Sequence, residues 1–151
     1  MLIRQATTSD LQSISNFNKF LALESEGKVL DDATVTRGAN ELLENPRKGI
    51  YYVCEIEGQV VGCLMVNFQW IDYECTYITY IQSVYTLPEF RGRGVFKTLF
   101  RHAENESKVK GKALRLYADL TNQRAMEVYR HLGMTELNEK FYEIDFAFSN
   151  K

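Results

Sequence analysis

The chain has 151 residues, of which 45% are hydrophobic, 13% aromatic and 25% charged. This is the composition of one soluble globular domain, and it excludes a disordered, fibrous or low-complexity protein. Eighteen basic residues stand against twenty acidic ones, whereas a nucleic-acid binder or an anionic-membrane binder would be more basic. We therefore predict a single domain over residues 1–151.

Hydrophobic periodicity predicts an alternation of strands and helices. Strands are predicted at residues 2–6, 51–57, 60–69, 76–86, 113–118, 134–137 and 142–148. Helices are predicted from residue 11 to Gly27 and at 32–43, 94–110 and 122–132. The order combines a meander of strands with two strand–helix units, so we expect an α/β fold in which helices cover both faces of a mixed sheet.

Basic residues are concentrated in one part of this weakly acidic chain. The segment 91–124 holds nine basic and three acidic residues. Such a segment indicates either one anionic ligand or a solvated basic helix face, and the charge count alone favours the helix face.

A glycine-rich loop lies within the basic segment. Arg91-Gly92-Arg93-Gly94 follows a predicted strand and Pro88, and it opens a predicted helix. The glycines allow successive backbone N–H groups to point into one concavity, and the helix start adds further donors and a partial positive charge. Arg91, Arg93 and Lys97 contribute full charges. The loop therefore predicts a pyrophosphate site.

Two common nucleotide-binding loops fit this segment poorly. A P-loop needs Lys and then Ser or Thr after its last glycine, but Val95 follows Gly94. A dinucleotide fingerprint needs a third glycine where Lys97 stands. Nucleotide phosphate binding is thus the weaker interpretation.

Two motifs together resemble the GNAT superfamily of acetyl-CoA-dependent N-acetyltransferases. The first is the loop 91–94, and the second is the segment 116–134, with its Asn, Ala, Tyr and terminal Leu-Gly-Met. The resemblance covers nearly the whole chain. It implies a mixed, mostly antiparallel twisted sheet of about six to seven strands, flanked by about four helices. The last position of the loop is Gly or Ala in the family pattern, whereas this chain has Phe96. The larger side chain would narrow the pocket expected for the pyrophosphate.

The resemblance also implies which residues contact acetyl-CoA, the expected co-substrate. The pantetheine arm would pair with backbone groups of Val84, Tyr85 and Thr86. The pyrophosphate would lie against Arg91, Gly92, Arg93, Gly94, Val95, Phe96 and Lys97. Asn122 would reach the coenzyme arm and Arg124 a phosphate. Tyr129, two helical turns after Asn122, would be the general acid that protonates the leaving thiolate.

The implied reaction is direct attack of a primary amine on the thioester, without a covalent enzyme intermediate. A protonated amine must first lose a proton, and Glu24 and Glu26 are the candidate base or amine-binding residues. Tyr80, Gln82 and Asp72 are candidates for the acceptor site. For each of these carboxylates taken alone, a solvated surface group is the favoured interpretation. A main-chain N–H near Val84 would stabilise the oxyanion.

Several broader expectations follow. A small-molecule or peptide amine is the expected partner, with no nucleic acid or membrane. Three cysteines without CxxC spacing and no apolar leader favour the cytoplasm. Two isolated histidines predict no metal site.

A homodimer through the aromatic strands is left open, as is a second function, a non-catalytic acyl-CoA sensor or interaction module on the same fold.

Overall fold

The computed structural model describes residues 1–147, and it divides them into two compact units, residues 1–117 and 118–147. The first unit contains one sheet and three α-helices, and the second contains one α-helix. The single domain over the whole chain stays a prediction. Among the described residues, no helix has both the length and the apolar character needed to cross a membrane.

The first unit is built on a five-stranded mixed sheet. Its strands are β1 (Leu2–Gln5), β2 (Ile50–Ile56), β3 (Gln59–Ile71), β4 (Thr76–Thr86) and β5 (Gly111–Leu116). The helices of the chain are α1 (Leu11–Glu26), α2 (Asp32–Glu44), α3 (Val95–Lys110) and α4 (Gln123–His131). Strands pair in chain order, antiparallel from β1 to β4 and parallel between β4 and β5. The predicted mixed, mostly antiparallel sheet with four helices is confirmed.

Helices cover both faces of this sheet because successive strand side chains point to opposite sides. On one face, Tyr51 and Val53 of β2 belong to the core cluster that includes Phe17 of α1 and Ala39 of α2. On the other face, the ring of Tyr52 meets that of His102 in α3 at 4.7 Å. The helical spacings read from the sequence therefore mark real packing stripes.

The last two predicted strands are wrong over the described residues. Residues 134–137 and 142–147 form no ladder there, and Phe148 lies outside the described part of the chain. Alternation of apolar residues indicates a side-chain pattern, but a strand also needs a partner edge for its N–H and C=O groups. Tyr142 and Ile144 are instead strongly exposed. The described sheet consequently has five strands rather than six or seven.

β4 leaves its neighbour β5 halfway along its length. The parallel ladder ends at the pair Ile81–Leu116, whereas β4 continues to Thr86. On the other side, β3 pairs Val66 with Ile81 and Met65 with Ser83, so that Gln82 is the extra residue of a bulge. Within residues 1–117, the segment 82–86 thus pairs in a ladder only with β3. Its second edge has no ladder partner within residues 1–117.

Close strand contact at Gly111 gives a first testable prediction. A Cβ atom added to Gly111 would overlap the main-chain oxygen of Tyr77 on the paired strand. We expect Gly111→Ala to lower the free energy of unfolding by about 2 kcal/mol or more, because the overlap can be relieved only by moving backbone. Denaturation in urea measures this change.

Gly38, in the middle of α2, is the matched control for this substitution. Its added Cβ would meet no atom within 4 Å. Gly38→Ala should therefore raise the free energy of unfolding by about 0.5–1 kcal/mol, since Ala is the better helix former. An unfolding midpoint of Gly111→Ala equal to that of the parent would contradict the close approach of β4 and β5.

Candidate active site

The glycine loop begins α3 in a way that leaves backbone donors available. Gly92 and Gly94 adopt left-handed conformations with φ of 76° and 83°, which favour glycine. Gly94 is the N-cap residue of α3, and among the described residues no side-chain cap hydrogen bond is made at this helix start. The N-caps of α2 and α4, Asp31 and Asn122, do accept a backbone N–H through their side chains. The start of α3 is thus suited to an external anion.

The side-chain charge at the start of α3 is positive, as is the N-terminal end of the helix dipole. The first turn contains no acidic residue but does contain the exposed Lys97. Arg93 lies just before it, with its guanidinium over the ring of Phe90 at 5.1 Å. A cation at a helix N-terminus is unfavourable by itself. A bound phosphate would compensate the charge of the side chains and the positive end of the helix dipole. Arg93, Gly94 and Lys97 thus lie in the loop and the first turn of α3, and their contact with a pyrophosphate stays a prediction.

Arg91 takes part in a different arrangement, with Glu24 and Tyr85. Its Nη2 donates to Glu24 Oε2 at 2.7 Å, and its Nε donates to the main-chain oxygen of Thr86 at 3.0 Å. Tyr85 Oη donates to Glu24 Oε1 at 2.7 Å, and the Arg91 guanidinium lies 5.4 Å from the Tyr85 ring centre. The end of α1 is thereby tied to the end of β4 and to the loop.

This network sets the protonation of Glu24 and Tyr85. The hydrogen bond from Tyr85, followed by that from Arg91, lowers the pKa of Glu24. Burial first, and the Glu24 contact second, raise the pKa of Tyr85 to about 12. At neutral pH, Glu24 is therefore a carboxylate engaged with two donors, which makes it a weaker proton acceptor than an ordinary glutamate.

The other predicted acidic residues lie in local contacts. Glu26, the exposed last residue of α1, pairs with Lys28, Oε2 to Nζ at 2.9 Å. Asp72 accepts from the backbone N–H of Tyr73 at 2.8 Å, in the turn between β3 and β4. Their roles as base or acceptor-binding residues stay predictions.

Tyr80 and Gln82 line a cavity of about 480 Å³ at the β4 bulge. Asn67, Gln69 and Tyr117 also contribute to it, together with two apolar residues, and we call it the amide cavity. The rings of Tyr80 and Tyr117 stack with their centres 5.3 Å apart. Sequence reasoning missed Asn67 and Gln69, although two polar residues at alternate positions of a mainly apolar strand were a usable signal.

The second unit carries the remaining predicted residues. Asn122 Oδ1 accepts the backbone N–H of Ala125 at 3.1 Å and so caps α4. Burial raises the pKa of Tyr129, which keeps its phenol protonated at neutral pH. Arg124 is exposed in the first turn of α4. The coenzyme contacts of Asn122 and Arg124 and the acid role of Tyr129 stay predictions.

Family comparison agrees with this arrangement. Residues 14–134 match the family model described as the acetyltransferase (GNAT) family. The chain therefore belongs to the GNAT acetyltransferase family. The family, its fold and the acyltransferase class are confirmed as predicted.

Individual relatives are similar at moderate identity. A structure described as a possible acetyltransferase from Clostridium difficile 630 is 36% identical over 95% of this chain and 96% of its own, with a TM-score of 0.91. An uncharacterized N-acetyltransferase of Methanocaldococcus jannaschii is 32% identical over 57% of this chain, which spans only 39% of that relative. The thialysine N-epsilon-acetyltransferase of Mus musculus is 25% identical over 99% of this chain and 92% of its own length.

Proposed function

We propose that this protein transfers an acetyl group from acetyl-CoA to an amine in a ternary complex. The observation that carries the proposal is the uncapped start of α3, with Gly92 and Gly94 in left-handed conformations and Lys97 in the first turn. A pyrophosphate would accept the backbone N–H groups of this turn and compensate its charge. The open edge of β4 at residues 82–86 would pair with the amide groups of the pantetheine arm.

The chemistry requires one bond to form and one to break. The amine nitrogen bonds to the thioester carbon while a main-chain N–H near Val84 stabilises the oxyanion. The carbon–sulfur bond then breaks, the thiolate takes the phenolic proton of Tyr129, and Tyr129 regains a proton from water. The proton of the amine passes to water or to a carboxylate, for which Glu24 and Glu26 are the proposed candidates. Glu24 is the weaker acceptor of the two candidates, because Tyr85 and Arg91 both donate to it.

The acceptor is an amine, as the family implies. The mouse relative is named for the epsilon amine of thialysine, an amino acid, and a small amino-acid amine is therefore our first proposal for this chain. We further propose a cytoplasmic location, in keeping with free thiols at Cys54, Cys63 and Cys75.

Calorimetric titration with acetyl-CoA tests the proposal. We expect saturable binding in the micromolar to millimolar range, followed by release of free thiol when amines are added. ATP should not displace the ligand, since neither nucleotide loop is complete. Absence of binding up to millimolar acetyl-CoA with folded protein would overturn the proposal. Binding without turnover across a broad amine panel would support the acyl-CoA sensor instead.

A further inference from the structure

The amide cavity contains a directed chain of hydrogen bonds. Arg115 Nη1 donates to Tyr80 Oη at 3.4 Å, and a guanidinium has donors only. Tyr80 therefore accepts from Arg115 and directs its own proton to Gln69 Oε1, 3.0 Å away. With its oxygen committed to Tyr80, Gln69 keeps its NH2 group for a ligand.

A second hydrogen-bonded pair of side chains in the same cavity leaves an acceptor atom available. Asn67 Nδ2 donates to Gln82 Oε1 at 2.8 Å, which uses one N–H of Asn67 and leaves the NH2 group of Gln82 as a further donor. The Oδ1 atom of Asn67 remains as an acceptor. Asn67 and Gln69 are two residues apart on β3, which places them on one face about 7 Å apart along the strand. The cavity thus offers an acceptor at Asn67 and donors at Gln69 and Gln82, of which Gln69 lies farther from Asn67 along the sheet.

Hydrogen-bond polarity decides what the donor end binds. None of the described residues that line the cavity is charged, and Gln69 presents its NH2 group because Tyr80 donates to its oxygen. An ammonium group has donors only, whereas a carboxylate has acceptors only. A carboxylate is therefore favoured at Gln69 over a second ammonium group.

We infer, on the basis of the proposed function, that the acceptor is an ω-amino acid whose carboxylate binds Gln69 and whose distal amine lies near Asn67. The separation of about 7 Å between Asn67 and Gln69 fits a carboxylate and an amine several methylenes apart, as on the four-carbon stem of lysine. An α-amine is too close to its own carboxylate for the two groups to reach both residues. The stacked rings of Tyr80 and Tyr117 provide apolar surface for the methylenes. Tyr80 and Arg115 act here as positioning residues.

The test compares lysine with cadaverine, the same chain without the carboxylate, and with lysine amide. We expect kcat/KM for lysine to exceed that for both analogues at least tenfold, the usual size of a hydrogen bond to a charged group. Equal values for lysine and cadaverine overturn the inference. Equal values for lysine and lysine amide also overturn it, because a carbonyl rather than a carboxylate would then be recognised.

Variants assign the effect to the cavity. Gln69→Ala should reduce the preference for lysine over cadaverine to less than threefold, whereas Gln12→Ala, an exposed glutamine on α1, should retain it. Tyr80→Phe should raise KM for lysine while kcat is maintained, and a general structural defect would lower both. An unchanged preference in Gln69→Ala overturns the assignment.

Binding measurements distinguish a failure of the carboxylate subsite from a failure of the proposed function. Lysine and cadaverine are titrated into protein saturated with coenzyme A, without turnover. Tighter binding of lysine supports the carboxylate subsite even if no amine is acetylated, an outcome that would overturn only the proposed function. Equal binding, together with normal acetylation of both amines, overturns only the subsite.

Discussion

Replacing Tyr129 by Phe is expected to lower kcat about a hundredfold while the dissociation constant of acetyl-CoA stays within twofold of the parent value. A positioned general acid contributes typically 10²–10⁴ to the rate, and Phe keeps the ring but removes the proton. Burial raises the pKa of Tyr129, so the donor form is fully present at neutral pH. Steady-state kinetics and calorimetry on the same preparations measure both quantities.

Tyr142, in the same unit, provides the matched control. It is 93% exposed, and Tyr142→Phe should leave kcat unchanged. The pH profile adds a further check, since ionisation of Tyr129 should lower kcat only above about pH 10, where the ordinary phenol titrates. Unchanged turnover in Tyr129→Phe would remove this residue from the mechanism.

Most of the fold could be predicted because the first unit obeys simple periodicities. α1 and α3 each present one apolar stripe, and β2 to β4 are rich in β-branched and aromatic residues. The failure at residues 134–147 has a physical cause. Alternation of apolar and polar residues is a property of the segment itself. Strand pairing also requires the edge of another strand, which the sequence of the segment does not specify.

The candidate site could be predicted in its backbone part better than in its side-chain part. Glycine spacing before a helix reports local conformation directly, and Gly92 and Gly94 have the left-handed φ that an anion nest needs. Glu24 and Arg91, by contrast, are 67 residues apart in sequence. Their contact depends on how α1 packs beside β4, which no single-sequence pattern encodes.

The contact of Glu24 with Arg91 changes what each residue is expected to do. The sequence predicts that the backbone amides from Arg91 to Lys97 hold the pyrophosphate and that the Arg91 side chain adds charge. In the structure the Arg91 guanidinium contacts the Glu24 carboxylate and the main-chain oxygen of Thr86. We therefore propose that backbone N–H groups provide most of the phosphate binding at the loop. We accordingly expect backbone conformation at the glycines, rather than any one cation, to determine coenzyme affinity.

Gly94→Ala is expected to raise the dissociation constant of acetyl-CoA at least tenfold. Apart from its two chain neighbours, no atom of the described residues lies within 4 Å of an added Cβ, so there is space for the methyl group. The left-handed conformation costs Ala about 1–2 kcal/mol, and relaxation of φ turns the N–H groups of the loop away from their common focus. Losing one hydrogen bond to a charged phosphate suffices for a tenfold effect. Calorimetry measures the affinity, and urea denaturation measures the stability.

Gly58→Ala separates backbone strain from ligand binding. Gly58 has a φ of 80°, close to the 83° of Gly94, and its added Cβ is equally free of contacts, but it lies in the turn between β2 and β3. Both variants should lose about 1–2 kcal/mol of stability, because both place Ala in the same strained region. Only Gly94→Ala should lose coenzyme affinity. If both variants weaken acetyl-CoA binding equally, the effect is a general consequence of destabilisation, and the α3 loop is not the phosphate site.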